Sequence, residues 1–457
     1  MSKTVKKFVC EKCGQEHLQW SGRCTACGTW NSLVEESKVA SPKGRQTSWL
    51  GERAPISKLG EIDSSSMGER WQTGVAEFDR VIGGGVLPGS FGLLGGTPGV
   101  GKSTLILQLM ARIASLGKEV LYISGEESAG QIKERANRLA VDQSQIQVLC
   151  ESNLEEILGH LERERPQFVV VDSIQTLFSV EFPASPGSVT QVRESAALLM
   201  RFAKAKGAAV MLIGHVTKDG TIAGPKTLEH MVDYVLYLEG VGEPGRLLRS
   251  VKNRFGNLSE IGLFKMTPKG LAELANPNQL FLEQFHWGKP GMAIFANFEG
   301  SRTLFMEVQV LVGDTEQRQL ARMAVGLERN RLQVMVAVME KHLGLDLSGN
   351  DVYLNLAGGF RVGETAIDMA VVAALLSSHL NKPLPERSVF AGELALTGEF
   401  RVVPGLEERA SEAERCGFTK FYLPQRALAR LEKKGVRLEM VGIDTLDQLM
   451  RQVAETL

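Results

Sequence analysis

"FGLLGGTPGVGKSTLILQLMARIA", residues 91–114, decides the fold. An apolar run enters the turn G-x4-G-K-S, spanning Gly96 to Ser103, and amphipathic spacing follows at once. Strand, glycine-rich turn and helix in that order is the setting in which such a turn wraps phosphates. The segment Gly95, Gly96, Thr97, Pro98, Gly99, Val100, Gly101 offers backbone N–H groups everywhere but at the proline, and the following helix N-terminus adds its dipole. Lys102 is placed to reach the β and γ phosphates and Ser103 to ligate magnesium, with Thr104 completing the turn. ATP and Mg2+ are therefore the expected ligands.

Three further apolar runs fit the same architecture. "PQFVVVDS" ends in Asp172, expected to hold the magnesium through water; "EVLYISGEES" ends in Glu126 and Glu127. A carboxylate at the C-terminal end of a strand beside the γ-phosphate can polarise an attacking water. Glu126 is the first candidate and Glu127 the second, the other being an acid at a helix start. "AAVMLIGHV" ends in His215, a possible γ-phosphate sensor or a satisfied structural histidine. Continuous apolar strands alternating with helices predict a buried parallel sheet whose ligand sits at the strands' carboxyl ends.

Toward the N-terminus, "CEKCGQEHLQWSGRCTACG" spells C-x2-C-x10-C-x2-C through Cys10, Cys13, Cys24 and Cys27. Two C-x2-C turns can present four thiolates to one tetrahedral Zn2+ ion, and about 30 residues too few for a core would draw their folding energy from that metal. Cys150 and Cys416 lie in apolar surroundings and read as inert core thiols. The absence of a disulfide framework fits a cytoplasmic compartment. Residues 1–32 thus form a zinc finger with a small cationic surface and Trp20 and Trp30 available for stacking. Residues 33–70, rich in serine, glycine and charge without periodicity, read as a linker, and 71–275 as the ATPase domain.

The balance of 52 basic against 53 acidic residues excludes a globally basic nucleic-acid binder, so any DNA contact must be local. The longest nearly apolar run, "MAVVAALL" at 369–376, is far too short for a membrane span, and no secretory signal is visible. Length points to two large domains plus an appendage.

"TGVAEFDRVIGGGVLPGSFGLLGGTPGVGKST" is similar to the RecA and KaiC group of P-loop ATPases. "GHVTKDGTIAGPKTLEHMVDY" and "KNRFG" resemble one family in particular, bacterial RadA, also called Sms. The resemblance implies a ring or filament with ATP at the seam between subunits. It assigns Lys252, Asn253, Arg254, Phe255 and Gly256 to a motif that completes the neighbour's site in the manner of an arginine finger. Alternate side chains of a strand share a face, so residues 252 and 254 are expected to point together. Segments 178–195 and 217–230 correspond by position to the central loops that hold a nucleic-acid strand. Lys218 and Lys226 are candidate phosphate contacts there, and Arg193 a weaker one.

From residue 285 to 457 the pattern changes. "TLFMEVQVLV" alternates as a strand, "RLQVMVAVMEKHLGL" has helical spacing, and the order of segments resembles the α+β proteolytic domain of Lon. Lon uses a serine activated by a lysine. Here the nucleophile position falls on Ala366, or on Thr365 after a one-residue slip, and the lysine position on Glu407. The dyad is missing, so cleavage is not expected, and a packing module in a hexameric ring is the better reading. The resemblance as a whole implies a DNA-dependent ATPase of recombinational repair. It would move on single-stranded and branched DNA and promote branch migration alongside the RecA recombinase. An ATP-dependent Lon-type protease and a KaiC-like regulatory ATPase that does not bind DNA are the rivals.

Overall fold

The computed structural model describes residues 5–10, 16–17, 20–23, 25, 28–30, 33–38, 58, 68–215, 226–242, 244–258, 260–274, 276, 278, 282, 285, 287–314, 321–347, 349–431 and 437–455. The chain separates into two compact units, Met1–Ile62 and Asp63–Leu457. In the first, strand β1 (Val5–Cys10) pairs antiparallel with β2 (Glu16–His17) and β3 (Leu33–Lys38). Leu33–Lys38 is therefore a strand and not the start of a linker: Val34 and Glu36 take register against Val9 and Lys7, so backbone pairing orders residues whose composition suggests a coil. Trp20 and Trp30 are both exposed, and the Arg23 guanidinium lies 5.7 Å from the Trp30 ring centroid.

The second unit opens with α1 (Ala76–Ile82) and then alternates strand and helix. The order is β4 (Phe91–Gly96), α2 (Lys102–Ser115), β5 (Val120–Ser124), α3 (Ala129–Arg138), β6 (Ile146–Cys150), α4 (Leu154–Glu164), β7 (Phe168–Asp172), α5 (Val189–Lys206), β8 (Ala209–His215), α6 (Lys226–Met231) and β9 (Tyr234–Gly240). Strands β10 (Gly245–Asn253), β11 (Ile261–Thr267) and β12 (Gly270–Glu273) follow. Among the described residues these strands form one sheet in the order β12-β11-β10-β9-β4-β8-β7-β5-β6, parallel from β9 to β6 and antiparallel from β9 to β12. Strand β4 is buried along its whole length and β7 up to Asp172, as central parallel strands covered on both faces must be.

A second sheet is built from β13 (Met292–Glu299), β14 (Arg302–Asp314), β15 (Arg322–Val325), α7 (Arg329–Leu343), β16 (Asn350–Leu356), α8 (Asp368–His379) and β17 (Ser388–Phe390). The chain continues through β18 (Glu393–Leu394), β19 (Phe400–Arg401), α9 (Leu406–Arg415), β20 (Lys420–Pro424), α10 (Gln425–Leu431), β21 (Glu439–Ile443) and α11 (Leu446–Glu455), with β18 and β19 pairing apart. The main sheet runs β15-β16-β14-β13-β17-β20-β21 and mixes parallel with antiparallel pairs. Helix α8, apolar all round through "MAVVAALL", is the buried centre of this domain.

The two sheets share a core. Leu247, Ile261 and Leu263 of the first sheet, with Val241 just after β9, belong to the same apolar cluster as Phe295, Phe305 and α8. Charge reinforces the contact. Glu77, with its side chain nearly buried, receives both guanidinium nitrogens of Arg302, at 3.0 and 2.8 Å, and also Arg80 at 2.8 Å. Arg80 reaches on to Glu260, which accepts from Ser301 Oγ at 2.9 Å, and Arg249 is ion-paired with Glu299.

Candidate functional site

Strand β4 delivers the chain into the glycine-rich turn, and the turn's geometry explains its glycines. Gly96 has φ of 157° and a Cβ there would stand 2.5 Å from Leu238 O, so no side chain fits. Gly101 has φ of 114° and forms the N-cap of α2, which begins with Lys102. Lys102 is almost fully buried, and its Nζ donates to Gly96 O at 2.8 Å and Thr97 O at 3.1 Å. The ammonium thus bridges loop carbonyls in a position that an anion could compete for. Burial lowers the Lys102 pKa, opposed by the charges of Asp172 and then Glu126.

Acidic and hydroxyl groups converge on the same end of the sheet. Ser103 Oγ donates to Asp172 Oδ2 at 2.7 Å, and the Tyr122 hydroxyl donates to the same oxygen. Burial, then the Asp172 charge and this hydrogen bond, push the Tyr122 pKa far upward, so the phenol is a fixed donor. Glu126 Oε1 accepts from Ser173 Oγ at 2.5 Å and lies 3.5 Å from His215 Nε2, at the end of β8. Glu127 turns away into an ion pair with Arg135 of α3. The donor set of ammonium, hydroxyl, carboxylate and helix N-terminus suits a nucleoside triphosphate with its magnesium ion. Beside Gly96 and Thr97 opens a cavity of about 750 Å3, walled by Tyr237 and Arg249 and, from the second sheet's domain, by Phe360 and Arg361.

The K-N-R-F-G motif lies elsewhere. Lys252 pairs with Val235, and Val235 with Leu93, three register steps before Gly96. At roughly 3.3 Å per step that is ~10 Å down the sheet, with two strand spacings across besides. Strand β10 ends at Asn253 after a bulge between Ser250 and Lys252. The expectation that 252 and 254 share a strand face is therefore corrected: Arg254 follows the strand, is exposed, and has its Nη1 3.8 Å from Asp233 Oδ1. Asp233 in turn accepts from Phe91 N at 3.0 Å, at the start of β4, so Arg254 marks the end of the sheet farthest from the turn. Lys252 Nζ donates to Glu229 O at 2.6 Å and His230 O at 3.3 Å. Asn253 and Phe255 close the turn, Phe255 N donating to Asn253 Oδ1 at 2.9 Å, and the segment packs at Gly256 against Gly83.

Other sequence candidates fall as follows. Arg193 is on α5 and paired with its neighbour Glu194. Lys226 opens α6, its side chain outside the described residues, as is Lys218. Cys13, Cys24 and Cys27 also lie outside the described residues, and of Cys10 only the end of β1 is described. Cys150 is exposed at the end of edge strand β6, which corrects its reading as a core thiol; burial raises the Cys416 pKa to about 11. In the C-terminal domain Ala366 is buried in a 3-10 turn, and Glu407 accepts from Arg430 Nε at 2.9 Å. Tyr122 and Ser173 were not singled out from sequence. Tyr122 sits in the apolar run "VLYIS", and only knowing that β5 neighbours β7 reveals it as a partner of Asp172.

Similarity to known proteins agrees with this geometry. Residues 69–221 match a AAA domain, 8–35 a rubredoxin metal-binding domain and 310–427 the ChlI subunit of Mg-chelatase. The chain is 44% identical over 455 residues to the DNA repair protein RadA of Bacillus subtilis, covering 99% of each chain. It is 43% identical over 457 residues to that of Pseudomonas aeruginosa, covering 100% of each. Among solved structures, a KaiC-like protein from Pyrococcus horikoshii aligns with 45% of this chain and 99% of its own, at TM-score 0.39 and 20% identity. With a AAA domain, an N-terminal metal-binding domain and a ChlI-like C-terminal region in order, and identity of 43% to 44% from end to end, this chain is a member of the bacterial RadA family.

Proposed function

We propose that the chain is a DNA-dependent ATPase of recombinational DNA repair, assembled as a hexameric ring in which each ATP is completed by the neighbouring subunit. The DNA repair role comes from its RadA relatives. In this reading Lys102 contacts the β and γ phosphates, and the turn from Gly95 to Gly101 wraps them with N–H groups. Ser103 and Asp172 hold the magnesium ion, which when bound polarises phosphoryl oxygens and neutralises their charge. Glu126 accepts the proton of the attacking water, its carboxylate oriented by Ser173 and within reach of His215. Glu127, neutralised by Arg135, stays structural.

The observation that supports the assembly is the placement of Arg254 at the end of the sheet opposite the glycine-rich turn, with Lys252 level with Leu93 in the middle of β4. Arg254 stands too far from its own glycine-rich turn to serve that nucleotide, and its exposure would let it leave Asp233 and enter a neighbour's site. Residues 178–195 and 217–230 would hold single-stranded or branched DNA within the ring, with ATP turnover driving movement and branch migration alongside RecA recombinase. Four thiolates in C-x2-C pairs suit Zn2+ in the N-terminal module, and the cytoplasm is the fitting compartment.

The test mixes two inactive variants. Lys252→Ala is expected to bind ATP and lose turnover, and Lys102→Ala to lose turnover with its phosphate contact, but rings containing both are expected to regain a fraction of their DNA-stimulated ATPase rate. No recovery at any mixing ratio would remove the shared site.

A further inference from the structure

We propose that Tyr122 is a positioning residue for metal binding: its hydroxyl, with that of Ser103, fixes the Asp172 carboxylate so that the second oxygen faces the nucleotide's magnesium ion. The inference rests on the ATPase reading above and assigns a residue no part of that reading needs. Both donors fall on one atom, Asp172 Oδ2, with Ser103 Oγ at 2.7 Å. That leaves Oδ1 as the oxygen that would be available to the metal's water shell.

The two donors are not equivalent. A carboxylate rotates readily about its terminal torsion, whose profile is broad. Ser103 is itself the expected metal ligand, so its hydroxyl cannot serve as a reference independent of the ion. Tyr122 can. It stands on β5 between β6 and β7 and is 0% exposed, its ring packed in the apolar core beneath α2. A phenylalanine would fill the same core, so the hydroxyl's contribution is the bond to Asp172. Outer-shell partners of this kind change metal affinity without touching the metal.

The experiment uses the full chain and the variants Tyr122→Phe and Ser103→Ala. Mn2+ binding is measured by EPR in the presence of a non-hydrolysable ATP analogue, and the affinity for a fluorescent ATP analogue is measured in EDTA. Tyr122→Phe is expected to weaken Mn2+ binding roughly tenfold, with metal-free nucleotide affinity and melting temperature held near wild type. Wild-type Mn2+ affinity in Tyr122→Phe, alongside a loss in Ser103→Ala, would overturn the inference. So would an equal loss of metal-free nucleotide affinity, which marks general loosening of the site. If wild-type protein itself shows no metal-dependent nucleotide binding, the ATPase reading fails first and is told apart by that control.

Discussion

The Glu126 carboxylate accepts from Ser173 Oγ at 2.5 Å and faces His215 Nε2 at 3.5 Å, while its neighbour Glu127 is tied to Arg135. A general base must present an oxygen to its water, and Glu127 Oε1 is engaged by Arg135 of α3. The two acids are therefore expected to differ sharply on substitution. Glu126→Gln keeps the hydrogen-bonding shape, removes the base, and is expected to lower kcat about a hundredfold with nucleotide affinity retained. Glu127→Gln is expected to act through stability, releasing Arg135, with kcat changed far less. Steady-state ATPase kinetics on both variants checks this assignment, and equal losses in kcat would sink it.

At the scale of elements, the C-terminal domain shows what stands near Ala366. Ala366 lies in the turn before α8, and two residues earlier Glu364 receives Arg409 of α9, Nη2 to Oε2 at 2.6 Å. Arg409 is 0% exposed; it also donates to Ala296 O and Pro404 O and lies 5.7 Å from the ring centroids of Phe295 and Phe298. This guanidinium joins α9 to β13 and to the α8 entry. Removing its carboxylate partner leaves a buried charge with only carbonyls and rings to balance it. Glu364→Ala is expected to cost about 3 kcal/mol, read as a lowered midpoint in urea, with the ATPase rate of the surviving folded protein unchanged. Glu407, by contrast, faces exposed Arg430 across a surface ion pair of the kind worth little.

At the scale of the whole molecule, the ATPase sheet and the C-terminal sheet are one cooperative object within Asp63–Leu457. Their junction combines a shared apolar cluster with the Glu77, Arg80, Arg302 and Glu260 ion network. Buried charges so arranged act as register pins, since a slip of either surface would strand a carboxylate in a low-dielectric site. Calorimetry is expected to show one transition for this unit. Arg302→Ala is expected to destabilise it by about 2 kcal/mol without splitting the peak; two resolved transitions in the unmodified protein would refute the joined core. A domain so fixed cannot swing as a tethered protease would.

Much of this was legible in the residues. The strand-turn-helix at 91–114 specified a P-loop because glycine, lysine and serine at that spacing answer to local geometry alone. Apolar runs ending in Asp172, Glu126 and His215 likewise located their strands' carboxyl ends, since a buried parallel strand has one composition wherever it sits in the sheet. What the sequence could not supply was adjacency. Which strand lies beside which is settled by packing over long separations, and that order alone brings Tyr122 to Asp172. The bulge after Ser250 and the end of β10 at Asn253 likewise set Arg254 beyond the strand that an alternating pattern would have continued. Local chemistry is written in consecutive residues; neighbourhood is a property of the folded chain, set by the burial of side chains that lie far apart along it.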